Sequence, residues 1–339
     1  MAASTDRTPQ GSPFSPPRRG LRNWRGRGPF LVALGAAGWG AENLPRKRLD
    51  MLHLPAYPIV FIEHLFQVVF TLPWLLKNAW LIKRAPRRAL LYVFLSGAVG
   101  SALGTVCYTA ALDTVNTTVA GMLLNLQPVV STIAGAMLFS ERIFRSFFVY
   151  AGLAVLAGVA IAAPGFHDLT HLQFTIAPGL GLVFATVILW GFATAAGRGA
   201  MRDLPLGLAT PLRLWSGLLT TGTVIVVRTL IGKGDFVLAP FLHWNVLGYF
   251  LLLTTLTGVI PLIVYFAGLA TTPASIAGYC EMFYTLSATL IAWQFFGDKL
   301  LPHQAIAAFF LVAAILLLNR AAALRDPNSG VQSQAKKAA

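Results

Sequence analysis

A chain of 339 residues that is 56% hydrophobic and only 11% charged has too little polar surface to cover its own core, since a soluble domain devotes about a quarter of its residues to charge. With a mean hydropathy of +0.68, this excludes a soluble domain and points to a membrane protein. The formal charge of +14 suggests nucleic acid at first, but the places where the basic residues fall argue against it.

Residues 1–28 are rich in Pro, Ser and Arg, with six arginines and one acid, Asp6; they read as a disordered basic tail. A transit peptide is the alternative for such a start, and the lack of an amphipathic pattern weighs against it. Apolar runs then recur to Asn319, each near the ~20 residues that span hydrocarbon. Ten spans are predicted: 29–45, 57–76, 89–111, 115–139, 145–164, 176–197, 206–230, 244–268, 274–296 and 302–320. A polar tail, 321–339, follows. A β-barrel would alternate apolar and polar residues over each strand, and LLYVFLSGAVGSALGTVCYTAAL at 90–112 does not.

With the N-terminus inside, nineteen of the 26 basic residues fall on the cytoplasmic side. Six fall opposite, among them Arg46, Lys47 and Arg48, and Arg213 lies within span seven. This bias satisfies the positive-inside rule and accounts for the basic charge without nucleic acid. It predicts a multi-pass protein with both termini cytoplasmic, most simply in a bacterial inner membrane. Cys107 and Cys280 lie in apolar runs and read as small buried hydrophobes. No metal-ligand spacing and no Gly-rich phosphate loop is present, so neither a metal nor another cofactor is expected.

The chain resembles itself at a separation of about 150 residues. Residues 108–143 lie on 265–300 without a gap, with Tyr108/Tyr265, Leu112/Leu269, Gly121/Gly278, Thr132/Thr289 and Phe139/Phe296 among the identities. Upstream, Trp39-Gly40 matches Trp190-Gly191, and Leu54-Pro55 matches Leu204-Pro205. Five spans per copy is an odd number, so the copies enter the membrane with opposite orientation. The expected domains are a first repeat at 29–164 and a second at 176–320. Inverted repeats are a common architecture of secondary transporters, with the solute site near the midplane between the copies. The fold class expected is therefore an all-α polytopic membrane protein of ten transmembrane helices in two inverted five-helix repeats.

On the Trp-Gly pairs of spans one and six, on LNLQPVVSTIAGAMLFSERI and on the small-residue span AGLAVLAGVAIAA, the chain resembles the EamA-like transporters of the drug/metabolite transporter superfamily. The resemblance covers roughly residues 29–320. It implies ten helices in two inverted repeats, cytoplasmic termini, and export or uptake of small metabolites. Pro128 and Ser140-Glu141-Arg142 fit the family's fourth span. In the second copy Thr285 replaces the proline and Asp298 stands for the glutamate, and span two carries Glu63-His64 where an arginine is frequent.

Ionisable groups inside spans are costly and mark function by default. Glu63, one turn before Gln67, is a candidate substrate-binding carboxylate or proton carrier; His64, about 100° round the helix, is the lesser candidate. The repeat offset sets Glu63 opposite Arg213, and the two are expected to face one cavity and to pair directly or through substrate. Glu281 in span nine is the other deep acid, with Tyr284 beside it and Asn125 and Gln127 on the equivalent face of span four. Pro128 is a candidate hinge. Trp39, Trp190 and Glu42 are weaker candidates, Glu42 being close enough to Arg46 to snorkel with it to the interface. The span-end pairs Glu141-Arg142 and Asp298-Lys299 read as caps.

The function expected is a secondary transporter, exporter or permease, for a small organic metabolite, with an amino acid or amine suggested by the acids. Protons are a candidate coupling ion, and a homodimer is left open. The alternative is an intramembrane enzyme acting on a lipid-linked substrate; no convergent catalytic set is evident in the sequence, so the protein is not expected to be an enzyme.

Overall fold

The computed structural model describes residues 28–139, 143, 145–162, 178–201, 203–234, 236–269, 280, 283–299 and 301–323. Glu281, Glu141 and Arg142 lie outside the described residues. Among those described there is no strand, and the helices follow the ten predicted spans.

Span one is Gly28–Gly40 followed, after a break at Ala41-Glu42, by Asn43–Asp50. The break has a local cause. Pro45 sits in the first turn of the second piece, where a missing amide hydrogen is tolerated, and the Asn43 side-chain amide donates to the Gly40 carbonyl at 2.8 Å. The helix therefore continues past residue 45, where the sequence pattern ends the span, and carries Arg46 into the packed interior. Spans two and seven, Ala56–Asn78 and Leu206–Leu230, begin alike: Pro55 and Pro205 stand before them in extended conformation, with ψ of 142° and 150°.

Span three runs from Arg87 to Ala111 and widens to a π-helical stretch at Ser96–Gly104. Span eight, Trp244–Leu269, widens at Leu252–Val259, the matching part of the second copy. Span four is Thr117–Leu123 and Gln127–Phe139, joined by a 3₁₀ turn at Leu124–Leu126. Its N-terminus is capped by Asn116, whose side chain accepts from the amides of Thr118 and Val119. Spans five, six, nine and ten cover Arg145–Ala162, Pro178–Met201, Phe283–Phe296 and Pro302–Ala323.

Packing follows the repeat. Span two lies on span seven, and span five on span ten. Span one crosses to spans eight and nine of the other copy, while span six crosses to spans three and four. Glycines permit the closest crossings. A Cβ on Gly40 would lie 2.0 Å from Ser287 Oγ, and one on Gly191 would lie 2.6 Å from Val130 Cβ. Val130 and Ser287 occupy the same position of the repeat, so the two close crossings are one device used twice. Apolar side chains such as Phe148, Leu156, Trp293 and Phe309 are exposed around the outside, as a bilayer-facing surface requires.

Candidate functional site

A cavity of about 410 Å³ lies between the two copies. Its apolar walls combine Trp39, Trp190, Tyr265 and Tyr284 with aliphatic side chains such as Leu124, Leu214 and Leu262. Trp39 of span one stacks at a tilt on Tyr265 of span eight, ring centroids 4.7 Å apart. Trp190 of span six meets Tyr108 of span three at 5.4 Å. Tyr108 and Tyr265 are repeat mates, as are the two tryptophans.

The π-helical stretches add backbone to the wall. Gly100 and Ser101 line the cavity from span three, and Gly258 and Val259 from span eight. Such stretches recur at functional sites because they free carbonyls from the regular ladder. Here the Gly100 carbonyl accepts from Trp190 Nε1 at 3.0 Å. The Ser101 hydroxyl accepts from Arg213 Nε at 2.8 Å.

Of the residues singled out from the sequence, Glu63, Arg213, Asn125, Gln127, Tyr284, Trp39, Trp190 and Pro128 all line this cavity, and Glu281 lies outside the described residues. Asn125 accepts from Thr285 Oγ1 at 2.8 Å, and Gln127 donates to Thr194 Oγ1 at 3.1 Å. Pro128 follows the 3₁₀ turn of span four by two residues, and its carbonyl accepts from Ser131 and Thr132 at 3.1 and 2.8 Å.

Glu63 and Arg213 face one cavity, but in place of a direct pair between them each bonds elsewhere. Glu63 Oε2 lies 3.0 Å from Arg46 Nη2, and Glu63 Oε1 accepts from Gln67 Nε2 at 3.1 Å. Arg46 is wholly buried, also lies 3.4 Å from Glu42, and donates through Nη1 to Thr109 Oγ1 at 2.9 Å. The expectation that Glu42 and Arg46 snorkel to the interface is thus corrected: both line the cavity. The signal was the i, i+4 spacing of Glu42 and Arg46, obscured by the run Arg46-Lys47-Arg48, which reads as a loop. His64 packs over Gly217 of span seven. Its Nδ1 lies 2.8 Å from the Val60 carbonyl, so that nitrogen carries the hydrogen, and its buried Nε2 has no hydrogen-bond partner among the described residues.

Past Arg46, one end of the molecule is tied by side-chain contacts. Lys47 bonds Asp50 at 2.9 Å and also the Leu112 carbonyl. Arg48 lies over the Phe296 ring at 5.4 Å, and Asp298 accepts from the Thr117 amide at 2.9 Å. The last two contacts join the copies. At the other end the lining continues to Arg198 and Met201, in the last turn of span six.

Comparison with known proteins agrees with this architecture. A family model, described as the EamA-like transporter family, matches residues 26–163 and again 177–320. The riboflavin transporter ImpX of Fusobacterium nucleatum subsp. nucleatum is 27% identical over 304 residues, covering 87% of this chain and 98% of that protein. A chain solved by crystallography matches with a TM-score of 0.56 at 15% identity, covering 88% of this chain and 99% of that one, and shows likeness of fold alone. The paired crossings, the paired π-helical stretches and the double family match lead to one conclusion: this chain is an integral membrane protein of the EamA-like transporter family.

Proposed function

We propose that this chain is a secondary transporter that carries a small planar organic solute through the central cavity by alternating access of its two repeats. The observation that carries the reading is the wall itself: Trp39, Trp190, Tyr265 and Tyr284, interleaved with the amides of Gln67, Asn125 and Gln127. The volume falls in the ~300–1,000 Å³ range of pockets for drug-sized ligands. Aromatic faces favour a flat heteroaromatic ring, and the amides offer donors and acceptors to its polar edge. The name of the similar Fusobacterium protein makes riboflavin the first solute to test.

An amino acid or amine is the second reading. Glu63 is engaged by Arg46 and Gln67, which weakens the case for it as a free amine receptor. Both termini are proposed to be cytoplasmic, in line with the distribution of basic residues; the tied end then faces away from the cytoplasm and the cavity is entered past Met201. Uptake of labelled riboflavin, amino acids and amines into proteoliposomes of the purified protein tests the reading. Saturable riboflavin transport that Trp190→Ala reduces is the expected result. Movement of amines alone would transfer the site to the second reading, and lipid turnover without solute movement would overturn transport.

A further inference from the structure

Three ionisable groups meet where span one bends. Arg46 Nη2 stands between Glu42 Oε2 at 3.4 Å and Glu63 Oε2 at 3.0 Å, and all three residues line the cavity. Taken by itself, this cluster of two carboxylates around one guanidinium carries an excess negative charge, and Arg213 of span seven, which lines the same cavity, is bonded to Ser101 instead. A buried charge without compensation is expensive and the group tends to neutralise instead, here by binding a proton. The two acids are not equivalent. Glu63 has the shorter ion pair and also accepts from Gln67; Glu42 has only the longer contact among the described residues.

We infer that Glu42 is a proton-carrying carboxyl, and that its protonation is linked to solute movement through the same cavity. The inference rests on the transport reading and names its coupling ion. In the binding step a proton adds to a Glu42 carboxylate oxygen and the cluster becomes neutral; release of that proton on the other face returns the negative charge. Linkage is reciprocal: whatever the proton does to solute affinity, solute does to proton affinity.

Among the described residues, the other titratable groups facing this cluster are His64 from span two, Tyr108 from span three and Tyr284 from span nine, while Arg213 of span seven and Tyr265 of span eight line the same cavity. Tyr249 of span eight packs with the Leu49 cluster instead. Among the described residues His64 is the only other group facing the cluster that could exchange a proton near neutral pH, which makes it the control.

The test has two arms. Infrared difference spectra of the purified protein during a pH titration report carboxyl protonation without any solute; a band that Glu42→Gln removes and His64→Gln keeps is expected. In proteoliposomes, an imposed pH gradient should drive riboflavin accumulation by the wild type. Glu42→Gln should cut that accumulation by about tenfold, within the usual range of coupling, and make the downhill uptake that remains independent of the imposed gradient. Equal response of wild type and Glu42→Gln to the gradient would overturn the inference, as would loss of the response in His64→Gln but not in Glu42→Gln. If no solute moves but Glu42→Gln still removes the band, the transport reading fails and the proton site is supported.

Discussion

At the scale of single residues, the most consequential side chain is Arg46. Removing one partner of a buried ion pair leaves uncompensated charge and costs about 3–5 kcal/mol, whereas removing all partners together costs far less. Arg46→Met should therefore lower the thermal unfolding midpoint sharply, and adding Glu42→Gln and Glu63→Gln should recover most of the loss; fluorescence-detected gel filtration after heating checks both. Glu63 was legible from sequence because a carboxylate in an apolar run stands out. Arg46 was not, since its burial depends on the helix resuming after the break at Ala41-Glu42, which hydropathy does not register.

At the scale of elements, the spans themselves were legible because each needs its own apolar run. Their irregularities were not: nothing in SGAVGSALG or LLTTLTGV announces a π-helical turn, since small residues suit regular helices in membranes equally well. The crossing glycines are testable. Gly40→Ala drives a methyl to 2.2 Å from the Tyr284 carbonyl, a backbone atom that cannot step aside, and should cost about 1–3 kcal/mol by overpacking. Gly152, inside span five, has open space around its Cβ position. Gly152→Ala should be neutral or stabilising by up to ~1 kcal/mol through helix propensity. Thermal melts of the two variants in one detergent compare them directly, and equal shifts would deny the close crossing.

At the scale of the whole molecule, the repeat was the most legible feature, because it is written in the order of residues rather than in any one of them. The partner of each copy was less so. Sequence matches set Trp39 on Trp190, but only the fold shows that each tryptophan rests on the third span of the opposite copy. The tied end joins the copies through Asp298 and Phe296. Asp298→Ala should therefore raise the labelling rate of a cysteine placed in the cavity wall by a membrane-impermeant thiol reagent added from outside, and no change would place the closure elsewhere.

The two Trp–Tyr contacts, 4.7 and 5.4 Å between centroids, are one interaction held in two slightly different settings. If the outward-facing form is reached by exchanging those settings between the copies, the molecule is a balance with matched pans. Weakening the Trp39–Tyr265 contact should tip it one way, weakening Trp190–Tyr108 should tip it the other, and the double substitution should return it towards level. The ancestry of the fold as a doubled unit then becomes its energetics: two end states stay close in free energy because each is built from the same parts with the roles reversed.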